Sequence, residues 1–141
     1  MEKLWRFAPW VSRFVLLPPT VIFALIASRY ITHPVASAAA QGIVLPAGLG
    51  VTIARVGLGG FPLGCSIFLF TCLLSQRRVM TGLTFVAIMA SVILGVRIFG
   101  MTADATVQEN LHLVHAEMGL LVVTGIGLFV ELGRRAYFRK A

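Results

Sequence analysis

The sequence predicts an all-α integral membrane protein, a bundle of four spanning helices, and three observations carry that prediction. First, of its 141 residues 58% are hydrophobic and only 12% are charged, where a soluble domain carries about a quarter charged residues; the mean hydropathy is +0.93. Second, the apolar residues fall in four long runs, roughly 11–31, 49–74, 83–99 and 111–132, each near the ~20 residues that a helix needs to cross a bilayer. Third, the net charge of +7 is concentrated in the loops and tails beside those runs. That is the pattern of a membrane protein and not of a nucleic-acid binder. Residues 1–141 therefore read as a single transmembrane domain.

The first span starts near Pro9 or Val11 and runs to Ile31. Lys3, Arg6, an apolar stretch and the small residues around Ala36–Ala40 resemble a secretory signal. The run is too long for one, however, and it carries Pro18-Pro19 and Arg29, so it reads as a retained span. The proline pair should kink or break it. His33-Pro34 ends it, and residues 35–46 are too short to span but suit a short interfacial helix. The second span is dense in glycine. Gly57, Gly60 and Gly64, with Pro62 between the last two, are expected to lie at a close helix contact, since small residues let backbones approach. Gln76-Arg77-Arg78 then forms a tight basic loop. Gly100 and Asp104 mark the loop after the third span. Thr106 with Glu109 three residues later has the form of a capping box opening the last helix, which should run to about Leu132.

Basic residues flank alternate loops: Lys3, Arg6 and Arg13 before span one, Arg77 and Arg78 between spans two and three, and Arg134, Arg135, Arg139 and Lys140 at the end. The positive-inside rule then places both termini and the Arg77-Arg78 loop in the cytoplasm.

Charges within the apolar runs are the candidate functional residues. A charge in lipid costs a few kcal/mol or more, so it normally faces a partner, a cavity or a ligand. Arg55 lies in span two, Arg97 near the outer end of span three, Arg29 near that of span one, and Glu117 inside span four. All belong to the outer half of the membrane. Arginine offers a planar fork suited to carboxylate or phosphate, so Arg55 and Arg97 are expected to hold a negative group, with Arg55 in ion-pair reach of Glu117. The alternative is a structural pair that locks two helices. Asn110, Glu117, Thr124 and Glu131 recur every seventh residue on the last helix, a polar stripe expected to face the bundle interior. In the bland version Thr124 bonds its own helix and Glu131 pairs with Arg134 or Arg135.

His112 and His115, three residues apart, share a helix face with Glu109 and form a conceivable metal set. No second helix supplies a matching pair, so no metal is expected. Cys65 and Cys72, about 10 Å apart along a helix, cannot form a disulfide and read as small apolar residues. Phosphate-loop, zinc-protease and serine-elbow motifs are absent.

The segments Arg55-Val56-Gly57-Leu58-Gly59-Gly60-Phe61, Val96-Arg97-Ile98-Phe99-Gly100 and Ala116-Glu117 together resemble small four-span bacterial membrane proteins, the domain-of-unknown-function 4345 group of DoxX-like type. The resemblance covers roughly Gly42 to Arg135 and matches Arg55, Gly60, Arg97 and Glu117. It implies a four-helix bundle in a bacterial inner membrane and no known reaction, and it leaves any cofactor unknown. The favoured function is binding or conduction of a small anionic or amphiphilic ligand at the outer charge cluster formed by Arg55, Arg97, Asn110, Glu117 and Thr124. Two alternatives are an accessory subunit that docks through the glycine face and a membrane redox or lipid-modifying enzyme. The expected partners are membrane lipid and a homo-oligomer or larger membrane complex.

Overall fold

The computed structural model describes residues 2–140, without the side chains of residues 2–8, 109 and 140. The described chain is all-α: α1 (Glu2–Thr32), the short α2 (Pro34–Ala39), α3 (Leu49–Ala54), a π-helical turn (Arg55–Gly60), α4 (Phe61–Leu74), α5 (Val79–Ala103) and α6 (Val107–Lys140). Four stretches are long and apolar enough to cross a membrane: Pro9–Thr32, Leu49–Leu74, Val79–Ala103 and Asn110–Arg139. The helices overrun the expected spans because helical hydrogen bonding continues past the apolar boundary. In α5, Gly100 lies within the helix, which closes only at Ala103. At most a third of the most apolar window in each stretch is buried, so the remaining surface suits contact with lipid.

Two compact units can be distinguished. One contains α1 up to Leu16 and everything from Ser75 onward; the other is Leu17–Leu74. In the first, α5 and α6 form an antiparallel hairpin. Val79, Leu83, Val86 and Ala90 of α5 are buried, as are Ser12 and Leu16 of α1. Gly127 of α6 marks the tightest packing: a Cβ there would stand 3.0 Å from Val15 Cγ1 and 3.2 Å from Leu83 Cδ2. The hairpin turn is compact. Ala105 takes φ 54°, and the Thr106 amide reaches back to the Met101 carbonyl at 3.2 Å, the six-to-one bond of a Schellman closure. α6 begins directly after Thr106, whose carbonyl accepts the Asn110 amide at 3.3 Å. The Glu109 half of the expected capping box lies outside the described side chains.

In the second unit α1 runs helically through Pro18-Pro19, so of the expected kink or break the break does not occur. The prolines withhold the N–H groups that the Phe14 and Val15 carbonyls would accept, and the helix continues beyond them. Ser66 of α4 donates its hydroxyl to the Thr20 carbonyl at 2.9 Å, a buried bond that ties α4 to α1. Cys65 and Cys72 are buried, and neither is in a disulfide. The π-helical turn sits immediately before Phe61-Pro62. A proline in a helix lacks its N–H and crowds the carbonyl four residues back, here that of Leu58; widening the register over Arg55–Gly60 accommodates it.

The glycine contact is one position away from the expected set. Gly59 is buried, and a Cβ on it would lie 2.8 Å from Ile31 Cγ1 and 3.3 Å from the Ile31 amide nitrogen. At Gly57 and Gly64 a Cβ would meet nothing within 4 Å, and at Gly60 only the Arg55 carbonyl at 3.9 Å. All three are exposed, while Pro62 is buried. The wider π register changes which side of the helix faces α1, and a period of four residues does not survive it.

Candidate functional site

The charged cluster forms across the α5–α6 hairpin. Arg97 lies about 9 Å along α5 from its end at Ala103, and Glu117 about 15 Å into α6 from Val107, at 1.5 Å rise per residue. Side chains lean toward the N-terminus of their helix, so the Glu117 carboxylate leans back toward the turn and meets the Arg97 guanidinium. Arg97 Nε donates to Glu117 Oε1 at 2.8 Å, and Nη2 stands 2.6 Å from the same oxygen as an ion pair. Nη1 donates to Asn110 Oδ1 at 3.3 Å, and Asn110 Nδ2 in turn donates to the Thr106 carbonyl at 3.1 Å. The two charged side chains are 26% and 17% exposed.

The ion pair is therefore Arg97–Glu117, where Arg55–Glu117 was expected. Arg55 belongs to the other compact unit, opens the π-helical turn and is exposed. Arg29 is exposed in the last turn of α1, beside a cleft of about 310 Å³ that Tyr30, Ser37 and Gln41 also line. Proximity in sequence was the signal for the observed pairing: helices joined by a short turn pack side by side, and Arg97 and Glu117 stand on either side of the α5–α6 turn, whereas Arg55 lies at the far end of its span from the turn into α5.

The polar stripe of α6 faces inward. Thr124 is 0% and Glu131 1% exposed, and Asn110 and Glu117 are half-buried. Thr124 does not bond its own helix: its Oγ1 is buried without a hydrogen-bond partner, as are Glu117 Oε2 and Ser12 Oγ. Arg13 Nε of the same unit is likewise buried and unpaired; a buried polar atom left unpaired costs about 1–3 kcal/mol, so these four atoms gain from a bound partner. Glu131 pairs with both Arg134 and Arg135.

His112 and His115 are exposed on α6. Among the described residues no three His, Cys, Asp or Glu side chains gather as a metal site; the third member of the conceivable set, Glu109, has its side chain outside that description.

The chemistry available at the hairpin is limited and definite. Arg97 has five N–H donors; one at Nε and one at Nη1 are hydrogen-bonded and Nη2 is in ion-pair contact with Glu117, so at least two remain. Beside them Glu117 offers one unpaired oxygen. The charges cancel, and the site combines a spare donor with a spare acceptor inside an apolar surround. Four long apolar helices and this half-buried ion pair make the chain a small multi-pass membrane protein. Compared with known proteins, it matches no family model, no curated protein and no solved structure.

Proposed function

We propose that this protein binds a small amphiphilic molecule in the outer half of the membrane, at the Arg97–Glu117–Asn110 cluster. The observation that carries this reading is the buried, unpaired Glu117 Oε2 beside an arginine with uncommitted N–H groups. A head group with both an O–H or N–H and an acceptor oxygen would satisfy both, while its tail lay along lipid-facing helix. A simple anion suits the cluster less well, because Glu117 already neutralises Arg97. Thr124, about 10 Å further along the same stripe, extends the polar surface that such a ligand would meet. The orientation in this proposal follows the basic residues: both termini and the Arg77-Arg78 loop on the cytoplasmic side. The DoxX-like resemblance, and with it a bacterial inner membrane, is part of the proposal insofar as it rests on Arg97 and Glu117; the role expected for Arg55 rests on the sequence alone.

A second reading has its own support. Two nitrogens of Arg97, one as a hydrogen-bond donor and one in ion-pair contact, converge on one Glu117 oxygen, a geometry that also suits a purely structural clasp between α5 and α6. The double variant Arg97→Met/Glu117→Met separates the two, since it removes both charges and strands neither. Native mass spectrometry of purified wild-type protein is expected to show a retained small amphiphile, and the folded double variant is expected to lack it. A double variant with wild-type thermal midpoint and wild-type bound molecules would make the pair structural. Glu117→Gln alone is expected to lower the midpoint, because Arg97 then faces a neutral amide.

A further inference from the structure

We propose that the opposite, basic end of the α5–α6 hairpin is a separate site for the phosphate group of an anionic phospholipid. It is centred on Glu131, about 21 Å along α6 from Glu117, and shares no residue with the outer cluster.

The site is built on a buried carboxylate. Glu131 is 1% exposed, a position that an unpaired charge could not hold cheaply. Arg134 grips it with a fork: Nε donates to Oε2 at 3.0 Å and Nη2 to Oε1 at 2.6 Å. Arg135 Nε donates to Oε1 at 2.9 Å. The far side of the Arg135 guanidinium is also fixed, since its Nη2 donates to the backbone carbonyl of Arg77 at 2.9 Å, in the turn before α5. Two guanidinium groups are thus held in place before any ligand arrives. With Gln76 and Arg77 they line a cleft of about 450 Å³.

The balance of charge and donors in that cleft calls for an anion. Arg77, Arg134 and Arg135 against Glu131 leave +3 − 1 = +2. Of five N–H groups on each guanidinium, Arg134 and Arg135 each use two in the bonds above. The Arg77 side chain makes no hydrogen bond or ion pair among the described residues; only its carbonyl is engaged. Several convergent, unused N–H groups with surplus positive charge match the oxygens of a phosphate. Glu131 lies behind the arginines and holds them, so it does not compete for the anion.

Position argues for a lipid phosphate over a soluble one. Leu132, one turn before Arg135 on the same face of α6, is 50% exposed. Tyr137 and Phe138, just beyond, are 38% and 51% exposed. The helix thus passes from lipid-facing to basic within one turn and then carries aromatic rings of the kind found at the membrane interface. A phospholipid would lay its chain on Leu132 and bring its phosphate level with the arginines, as basic pockets at helix ends do for anionic head groups.

The test uses the full chain in neutral detergent. Phosphatidylglycerol and phosphatidylcholine of equal chain length are titrated, with bound lipid counted by native mass spectrometry and the thermal midpoint followed in parallel. The expected result is preferential retention of, and stabilisation by, phosphatidylglycerol, with a preference of about fivefold for each arginine engaged. Arg77→Gln should cut that preference by about the same factor. This variant leaves Glu131 with both partners, and the backbone carbonyl still receives Arg135. Equal retention of the two lipids by wild type would overturn the proposal, as would an undiminished preference in a folded Arg77→Gln protein. If that variant does not purify, Arg134→Lys takes its place: it keeps a charge for Glu131 but loses the fork, and an unchanged preference there would equally overturn the site. Inorganic phosphate at matched concentration is expected to leave the midpoint unmoved; a shift as large as that from phosphatidylglycerol would overturn the lipid assignment.

Discussion

Ala105 holds a backbone conformation that alanine disfavours. Its φ of 54° places the Cβ against the following carbonyl at a cost of about 1–2 kcal/mol. Glycine avoids that cost but loses about 0.4–1 kcal/mol through its freer unfolded chain. The residue is exposed, so no packing is lost on replacement. Ala105→Gly is therefore expected to stabilise the hairpin by about 0.5–1 kcal/mol, read as a raised thermal midpoint in detergent; a lowered midpoint would mean that the turn relaxes in solution. At this scale the sequence disclosed identities more readily than partners. Arg97 and Glu117 stood out because a charge in an apolar run is visible without a structure. Arg55 and Arg97 looked interchangeable as partners, since depth along a span does not say which spans are neighbours. The unpaired oxygen of Glu117 was not legible at all, because it depends on which of two carboxylate oxygens both arginine nitrogens choose.

Along the second span the legible signal was composition and the hidden one was register. Gly57, Gly60, Pro62 and Gly64 announced a helix that packs closely or bends. The π-helical turn at Arg55–Gly60 then moved the contact to Gly59, because a wider turn shifts every later side chain around the axis. The two glycines make opposite predictions. Gly59→Leu would drive a side chain into Ile31, and overpacking of that kind costs about 1–3 kcal/mol; the thermal midpoint should fall clearly. Gly60→Leu meets only an ordinary contact, the Arg55 carbonyl at 3.9 Å, and should change stability by less than about 0.5 kcal/mol. If Gly60→Leu instead alters the oligomeric state on size-exclusion chromatography, the exposed glycines belong to an interface between copies, as the homo-oligomer expectation holds. Equal destabilisation by both substitutions would refute the assignment of the contact to Gly59.

For the chain as a whole, the all-α class and the four apolar helices were readable from hydropathy and length, because lipid permits so few backbone arrangements. The division into two compact units, with α1 shared between them at Leu16, was not readable, since hydropathy does not say which helices are neighbours. Orientation rests on loop charges, and fusions test it: a reporter inserted at Gln76, or following the C-terminus, should report from the cytoplasm, and a signal from the opposite side of the membrane at either would reverse the assignment. The same fusion series bears on how the chain enters the bilayer during synthesis. In the finished hairpin Arg97 has its opposite charge on α6, but while α5 leaves the ribosome that charge does not yet exist. A lone arginine in a nascent span burdens membrane insertion by about 2.5–3.5 kcal/mol at mid-depth and less toward the edge. A fusion truncated after Ala105 should therefore lodge α5 incompletely, one extended past Glu117 through Leu132 should lodge it fully, and Arg97→Leu should remove the difference. The ion pair would then govern the order of biogenesis, making α5 wait for α6 so that the two helices enter the lipid together.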